Sequence, residues 1–121
     1  MGPLTGVRVL DLGQYITGPY ATSLLAEMGA DVIKVESPPD GDEFRSWDKG
    51  KISPQFLTFN HGKRSIVLDL KATDQRAQFY RLVKTADVLI ENFRPGVTSR
   101  LGIAYESVRE LNPQLVYCSI T

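Results

Sequence analysis

Five short runs rich in branched aliphatic residues, "VRVLDL" (7–12), "DVIKVE" (31–36), "SIVLDL" (65–70), "VLIENF" (88–93) and "LVYCSI" (115–120), recur along the chain. Each is about the length of a strand and is built from residues that fit a pleated surface. Between the first two, Ala21, Leu24, Leu25 and Met28 fall at the spacing of one helical face, with Pro19 suited to a first helical turn and Gly29 to a stop. Phe79, Leu82, Val83 and Ala86 repeat that spacing; a short turn or helix follows from Pro95 to Gly102, and Tyr105, Val108 and Leu111 predict another helix ended by Asn112-Pro113. Strands separated by helices pair in parallel through crossovers, which are expected to be right-handed. The expected fold is therefore α/β, a Rossmann-like, mostly parallel sheet with flanking helices. Only residues 37–56, "SPPDGDEFRSWDKGKISPQF", break the alternation, and they read as a long loop of the kind that is usually functional or disordered.

A chain of 121 residues, 42% of them hydrophobic, suits one core and one domain. Lys+Arg and Asp+Glu are both 14, so the formal net charge is +0, which argues against a nucleic-acid coat and makes any anion site a local one. The single cysteine, Cys118, excludes an internal disulfide framework and fits a reducing compartment. It lies in an apolar strand, where a buried, inert thiol is expected. The N-terminus lacks a signal-peptide pattern, Gly2 lacks a myristoylation pattern, and no apolar run approaches the roughly 18 residues of a membrane span. No membrane partner is expected, and the location is expected to be cytoplasmic, or mitochondrial or peroxisomal in a eukaryote. Because Thr121 directly follows a strand, where a site-forming loop normally begins, the chain is expected to be the N-terminal piece of a longer protein.

In a parallel sheet, ligands bind beyond the C-terminal strand ends, which makes Gly13 to Gly18, Glu36 onward, Leu70-Lys71 and Glu91 to Arg94 the segments of interest. "GQYITG" has P-loop glycine spacing, but Pro19-Tyr20 stands where Lys-Ser/Thr would reach phosphate and magnesium, so a nucleoside triphosphatase is excluded. The dinucleotide fingerprint is absent, although Glu36 stands where a ribose-binding acid would, leaving NAD as a second reading. The plainer reading of the glycines is a tight turn. Lys63, Arg64, Lys71, Arg94 and Arg100 are candidates for a local phosphate site, against the plainer reading of a solvated surface. His61 is the only histidine and has no evident partner; no metal-ligand spacing occurs, so no metal is expected. Phe44 and Trp47 could pack on a ligand or cover the core.

The blocks "GVRVLDLGQYITGPYATSLLAEMGADVIKVESPPDGDEFR", "NHGKRSIVLDLK", "ADVLIENFRPGVTSRLGI" and "LNPQLVYCSIT", in that order, resemble the N-terminal region of the family III CoA-transferases, a superfamily that includes α-methylacyl-CoA racemases. The resemblance runs nearly end to end and implies that residues 1–121 are the first part of a CoA-binding Rossmann-like domain in an enzyme that forms an interlocked homodimer. It implies coenzyme A or acyl-CoA as substrate, and a carboxylic acid as acceptor. Carried over by position, Leu68 and Lys71 of "LDLK", Asn92 and Phe93 of "ENF", and Arg100 and Leu101 of "RLG" would contact CoA. Tyr15, Ile16 and Thr17 would reach toward the thioester. A glutamine often stands where this chain has Ile16, and an arginine where it has Ser37. In the family an aspartate attacks the thioester to form a mixed anhydride and release CoA thiolate. None of Asp11, Asp31, Asp40, Asp42, Asp69 or Asp87 matches it, so no catalytic residue is expected within the chain. A racemase, whose acid and base also lie downstream, and a noncatalytic CoA- or dinucleotide-binding module are the alternatives.

Overall fold

The computed structural model describes residues 1–48 and 53–121. Residues 49–52, part of the expected loop, lie outside the described residues. Strands β1 (Arg8–Asp11), β2 (Asp31–Glu36), β3 (Arg64–Val67), β4 (Val88–Glu91) and β5 (Val116–Ser119) form one sheet in the order β3-β2-β1-β4-β5, with every adjacent pair parallel. The chain starts in the middle, builds outward through β2 to β3, then returns across the sheet to β4. The direction of winding therefore reverses between β1 and β4, which opens a crevice at their C-terminal ends.

Alternation along the strands supplies two buried faces. Leu10, Ile33, Val35 and Leu89 join Phe79 and Val83 of α3 (Thr73–Thr85), with Ile103 and with Val108 of α5 (Tyr105–Val108), in the larger core. Val9, Val32 and Ile90 face the other way, against Leu25 and Ala26 of α1 (Thr17–Glu27). Oppositely directed crossovers of one hand place their helices on opposite faces, as seen for α1 and α3.

Four expectations need correction. The buried side of α1 is Gly18, Pro19, Thr22 and Ser23, while Leu24 and Met28 are 40% and 39% exposed. The cause is close approach: a Cβ on Gly18 would stand 2.8 Å from Gly13 Cα, so the contact surface must be small, and Thr22 is needed there as a donor. The third strand stops at Val67; one further backbone bond, Leu68 N–H to Glu36 O at 2.9 Å, ends the ladder, and Leu68 and Leu70 turn into the core. The long segment is not all loop. Asp42 caps a short 3-10 turn (Glu43–Ser46), and α2 (Pro54–Asn60) starts with Ser53 Oγ accepting from Phe56 N–H and Pro54 in the first turn. Finally, Cys118 is exposed. β5 is an edge strand, and its Val116 is 60% exposed, so an apolar sequence there does not mean burial. Among the described residues no helix is long and apolar enough to cross a membrane.

Candidate functional site

The β1–α1 turn stands at the crevice, and its backbone is held by side chains. Gly13 N–H donates to Asp11 Oδ1 at 2.8 Å, Gln14 N–H to Asn92 Oδ1 at 2.8 Å, and Tyr15 N–H to Asp42 Oδ1 at 3.3 Å. In return, Lys34 Nζ donates to Gly13 O at 3.0 Å, and Asn92 Nδ2 donates to Gln14 O at 2.8 Å and Thr17 Oγ1 at 2.9 Å. A dinucleotide fold uses N–H groups of this turn for pyrophosphate. Here those of Gly13, Gln14 and Tyr15 are already bonded.

Glu36 is equally committed. Arg45 Nε and Nη2 grip its carboxylate at 2.6 and 2.7 Å, Ser65 Oγ donates to Oε2, and Asp42 N–H donates to Oε1 at 2.9 Å. Burial alone would push this carboxyl up, but the Arg45 and Ser65 hydrogen bonds, the Asp42 N–H and the Arg45 charge together hold it at about 2. A carboxylate wrapped this way does not present itself to a ribose, which removes the sequence basis of the NAD reading.

Two of the five candidate cations are also spoken for. Lys63 Nζ is buried and donates to Asp11 Oδ2 at 2.8 Å, Pro19 O at 2.9 Å and Asn60 Oδ1 at 2.9 Å. Burial pushes its ammonium below the usual lysine range, against the pull of Asp11. Arg64 pairs with Asp31 at 2.8 Å, at the N-terminal end of the sheet, where Arg8 also reaches Asp31 at 3.0 Å. Neither belongs to the site: Lys63 pins the segment before β3 to β1 and α1, and Arg64 faces away.

Lys71 and Arg100 differ. They line one cleft of about 500 Å³ with Ser37, Pro38, Asp69, Leu70, Phe93, Val97 and Leu101. β2 and β3 deliver one wall, and the end of β4 with α4 (Val97–Leu101) the other. Neither cation forms an ion pair with another described residue. Asp69, the carboxylate in the wall, accepts the Lys71 N–H at 3.0 Å. Two available cations beside Leu70, Phe93, Val97 and Leu101 can take a ligand that combines phosphate with a flat apolar group.

A second cavity of about 380 Å³ adjoins the first through Phe93 and Val97, and is lined also by Gln14, Tyr15, Glu43, Asn92 and Arg94. Tyr15, at φ 61°, sets its ring edge-on to Phe44 and Trp47, with centroids 5.1 and 6.3 Å away. Phe44 is buried beneath and Trp47 stays 60% exposed. Of the expected contacts, Lys71, Phe93, Arg100 and Leu101 therefore meet in one cleft, and Tyr15, Asn92 and Phe93 in its neighbour. Thr17 joins the second group through Asn92, Ile16 is exposed just before α1, and Leu68 sits in the core, lining neither cavity. His61 does have a partner, Glu27 Oε1 at 3.1 Å, but both are exposed. Sequence reading missed Lys34 and Asp42, which meet only when β2 and the following loop fold together. Among the described residues no cluster of three or more His, Cys, Asp or Glu side chains could hold a metal.

The fold and cleft define a Rossmann-type α/β sheet with flanking helices and a locally cationic cleft beside its switch point. Known proteins narrow the class. The profile of CoA-transferase family III matches residues 4–121, and the chain belongs to that family. It is similar to a succinate–glutarate CoA-transferase of Agrobacterium fabrum, with 49% identity over 98% of this chain and 32% of the relative. The human succinyl-CoA:glutarate CoA-transferase is 41% identical over 98% of this chain and 28% of its own length. Among solved structures, a CAIB/BAIF family protein from Brucella suis superposes with a TM-score of 0.93 at 44% identity, covering 99% of this chain and 33% of that one. The chain thus spans about 32% of the length of the Agrobacterium relative and similar shares of the others.

Proposed function

We propose that this chain forms part of the CoA site of an enzyme that moves CoA between an acyl-CoA thioester and a carboxylic acid. The observation that carries the reading is the pair Lys71 and Arg100, uncommitted cations in an apolar-walled cleft on a chain of net charge +0. Coenzyme A presents a diphosphate, a 3′-phosphate and an adenine, which need such a combination. In this reading the cleft of Lys71 and Arg100 takes the nucleotide end, and the adjoining cavity behind Tyr15 and Asn92 receives the thioester end. The relatives named above are transferases, which favours transfer over racemisation.

The reaction proposed for the whole protein runs through an aspartyl mixed anhydride, with the nucleophile supplied from outside these 121 residues. The commitments of four of the local aspartates support that assignment. Asp11 and Asp42 are buried among cations, Asp31 sits between two arginines, and Asp87 Oδ2 accepts the Arg8 N–H at 2.9 Å, at the strand starts. The work of the present residues is to bind and orient. For the whole protein we propose an interlocked homodimer, a reading that the family resemblance supports.

Calorimetric titration with CoA, 3′-dephospho-CoA and NAD tests the reading. CoA should bind in preference to both, and Lys71→Ala or Arg100→Ala should each weaken it about tenfold or more, the loss expected for one charge-assisted hydrogen bond. A preference for NAD, or CoA affinity indifferent to both substitutions, would sink it.

A further inference from the structure

Lys34 and Asp42 are almost fully buried, yet neither is an expected ligand contact. Lys34 Nζ lies 2.7 Å from Asp42 Oδ2, 3.0 Å from Gly13 O and 3.8 Å from Asp11 Oδ2; the Asp42 contact is an ion pair by distance rather than an aligned hydrogen bond. The other oxygen, Asp42 Oδ1, accepts from Tyr15 N–H at 3.3 Å and from Phe44 N–H at 2.9 Å. One carboxylate thus ties the Tyr15 backbone to the 3-10 turn whose Phe44 and Trp47 border the Tyr15 ring. Tyr15 needs that support, because φ 61° is a conformation that non-glycine residues seldom adopt.

We propose that Lys34 and Asp42 are positioning residues, a buried pair that fixes the Gly13–Tyr15 turn so that Tyr15 stands as a wall of the cavity adjoining the Lys71 and Arg100 cleft. A buried ion pair is weak evidence for stability, since well-packed apolar side chains in its place are often neutral or better. What this pair supplies is placement: Lys34 binds Gly13 O and Asp42 accepts the Tyr15 N–H. The inference rests on the CoA reading only for what the wall faces; the turn itself can be measured without ligand.

The test compares the unaltered chain with Lys34→Met/Asp42→Leu, which removes both charges together and leaves neither ion unpaired. Folding is checked by cooperative thermal unfolding and by protected amides at Leu10 and Leu89. The readouts are hydrogen exchange at Tyr15, emission of Trp47, the chain's single tryptophan, and affinity for CoA and for adenosine 3′,5′-bisphosphate. We expect Tyr15 exchange about tenfold faster, a shifted Trp47 emission, and CoA weakened about tenfold while the bisphosphate changes less than about twofold. A folded double variant with the original Tyr15 exchange and Trp47 emission overturns the proposal. So does an equal loss for CoA and the bisphosphate. If the double variant fails to fold, Asp42→Asn, which keeps an acceptor but removes the charge, is read by the same two ligand-free signals: change supports the pair, no change overturns it. If the unaltered chain binds neither ligand, the CoA reading has failed, and Tyr15 exchange and Trp47 emission still decide the positioning claim.

Discussion

Thr22 shows how a residue that sequence patterning passes over can hold a site together. It is fully buried on α1, and its hydroxyl donates to Asp11 Oδ2 at 2.8 Å, beside Lys63 on the same oxygen. Thr22→Val keeps the shape and removes the donor, leaving Asp11 short of a partner in a place water does not reach. The expected cost is about 1 to 3 kcal/mol of stability, measured by urea denaturation, because a buried acceptor loses a hydrogen bond to a charged group. A change within a few tenths would mean that Lys63 satisfies Asp11 Oδ2 without the hydroxyl. The same cluster marks the limit of reading residues from sequence. In "GKRSIVLDLK" the cations are plain, but nothing local says that Lys63 turns inward to Asp11, that Arg64 pairs at the strand starts, and that Lys71 alone reaches the cleft. Partners 52 and 33 residues away decide it.

At the scale of elements, local chemistry was a good guide wherever packing agreed with it. The existence of all five strands and of the helices from 73, 97 and 105 onward was legible, since period and punctuation are local properties, but the last helix stops at Val108 rather than at Asn112-Pro113, as the third strand stops at Val67. α2 was missed, although Ser53-Pro54 is a helix-start signal, because the whole helix has only seven residues, too few for a periodic stripe. The α1 stripe misled because close approach to β1 outranked apolar area. β5 misled because hydrophobic residues do not report whether a strand is central or at the edge. The last case gives a prediction. With Val116 and Cys118 exposed on the edge strand, an aromatic disulfide reagent should label Cys118 completely in the native chain, at a rate that moderate urea does not raise. Labelling that waits for unfolding would show that this side of β5 is covered in solution.

For the molecule as a whole, charge neutrality conceals a strong internal division of labour. Asp11, Lys34, Asp42 and Lys63 neutralise one another inside, Glu36 is closed by Arg45, and Lys71 and Arg100 are left at the cleft. Glu36 makes stability depend on pH in a definite direction. The Glu36 carboxyl is held at about 2, down from an ordinary 4.5, so the folded state binds its proton less readily than the unfolded chain does. Its contribution is therefore complete above pH 4.5 and lost as pH falls from there through about 2. The full effect is roughly 3 kcal/mol, from the conversion of a pKa shift to free energy. Arg8 and Arg64 lower Asp31 in the same sense against its partial burial, but these exposed pairs are screened by salt and add little. Glu36→Gln should remove the dominant part. Urea denaturation from pH 7 to pH 2 should find the variant less stable at pH 7, with the gap between the two chains narrowing steadily below pH 4.5. A gap of constant size across that range would mean that Glu36 acts through shape and hydrogen bonding alone, and that its charge does not contribute to anchoring the segment that carries Asp42, Phe44 and Trp47.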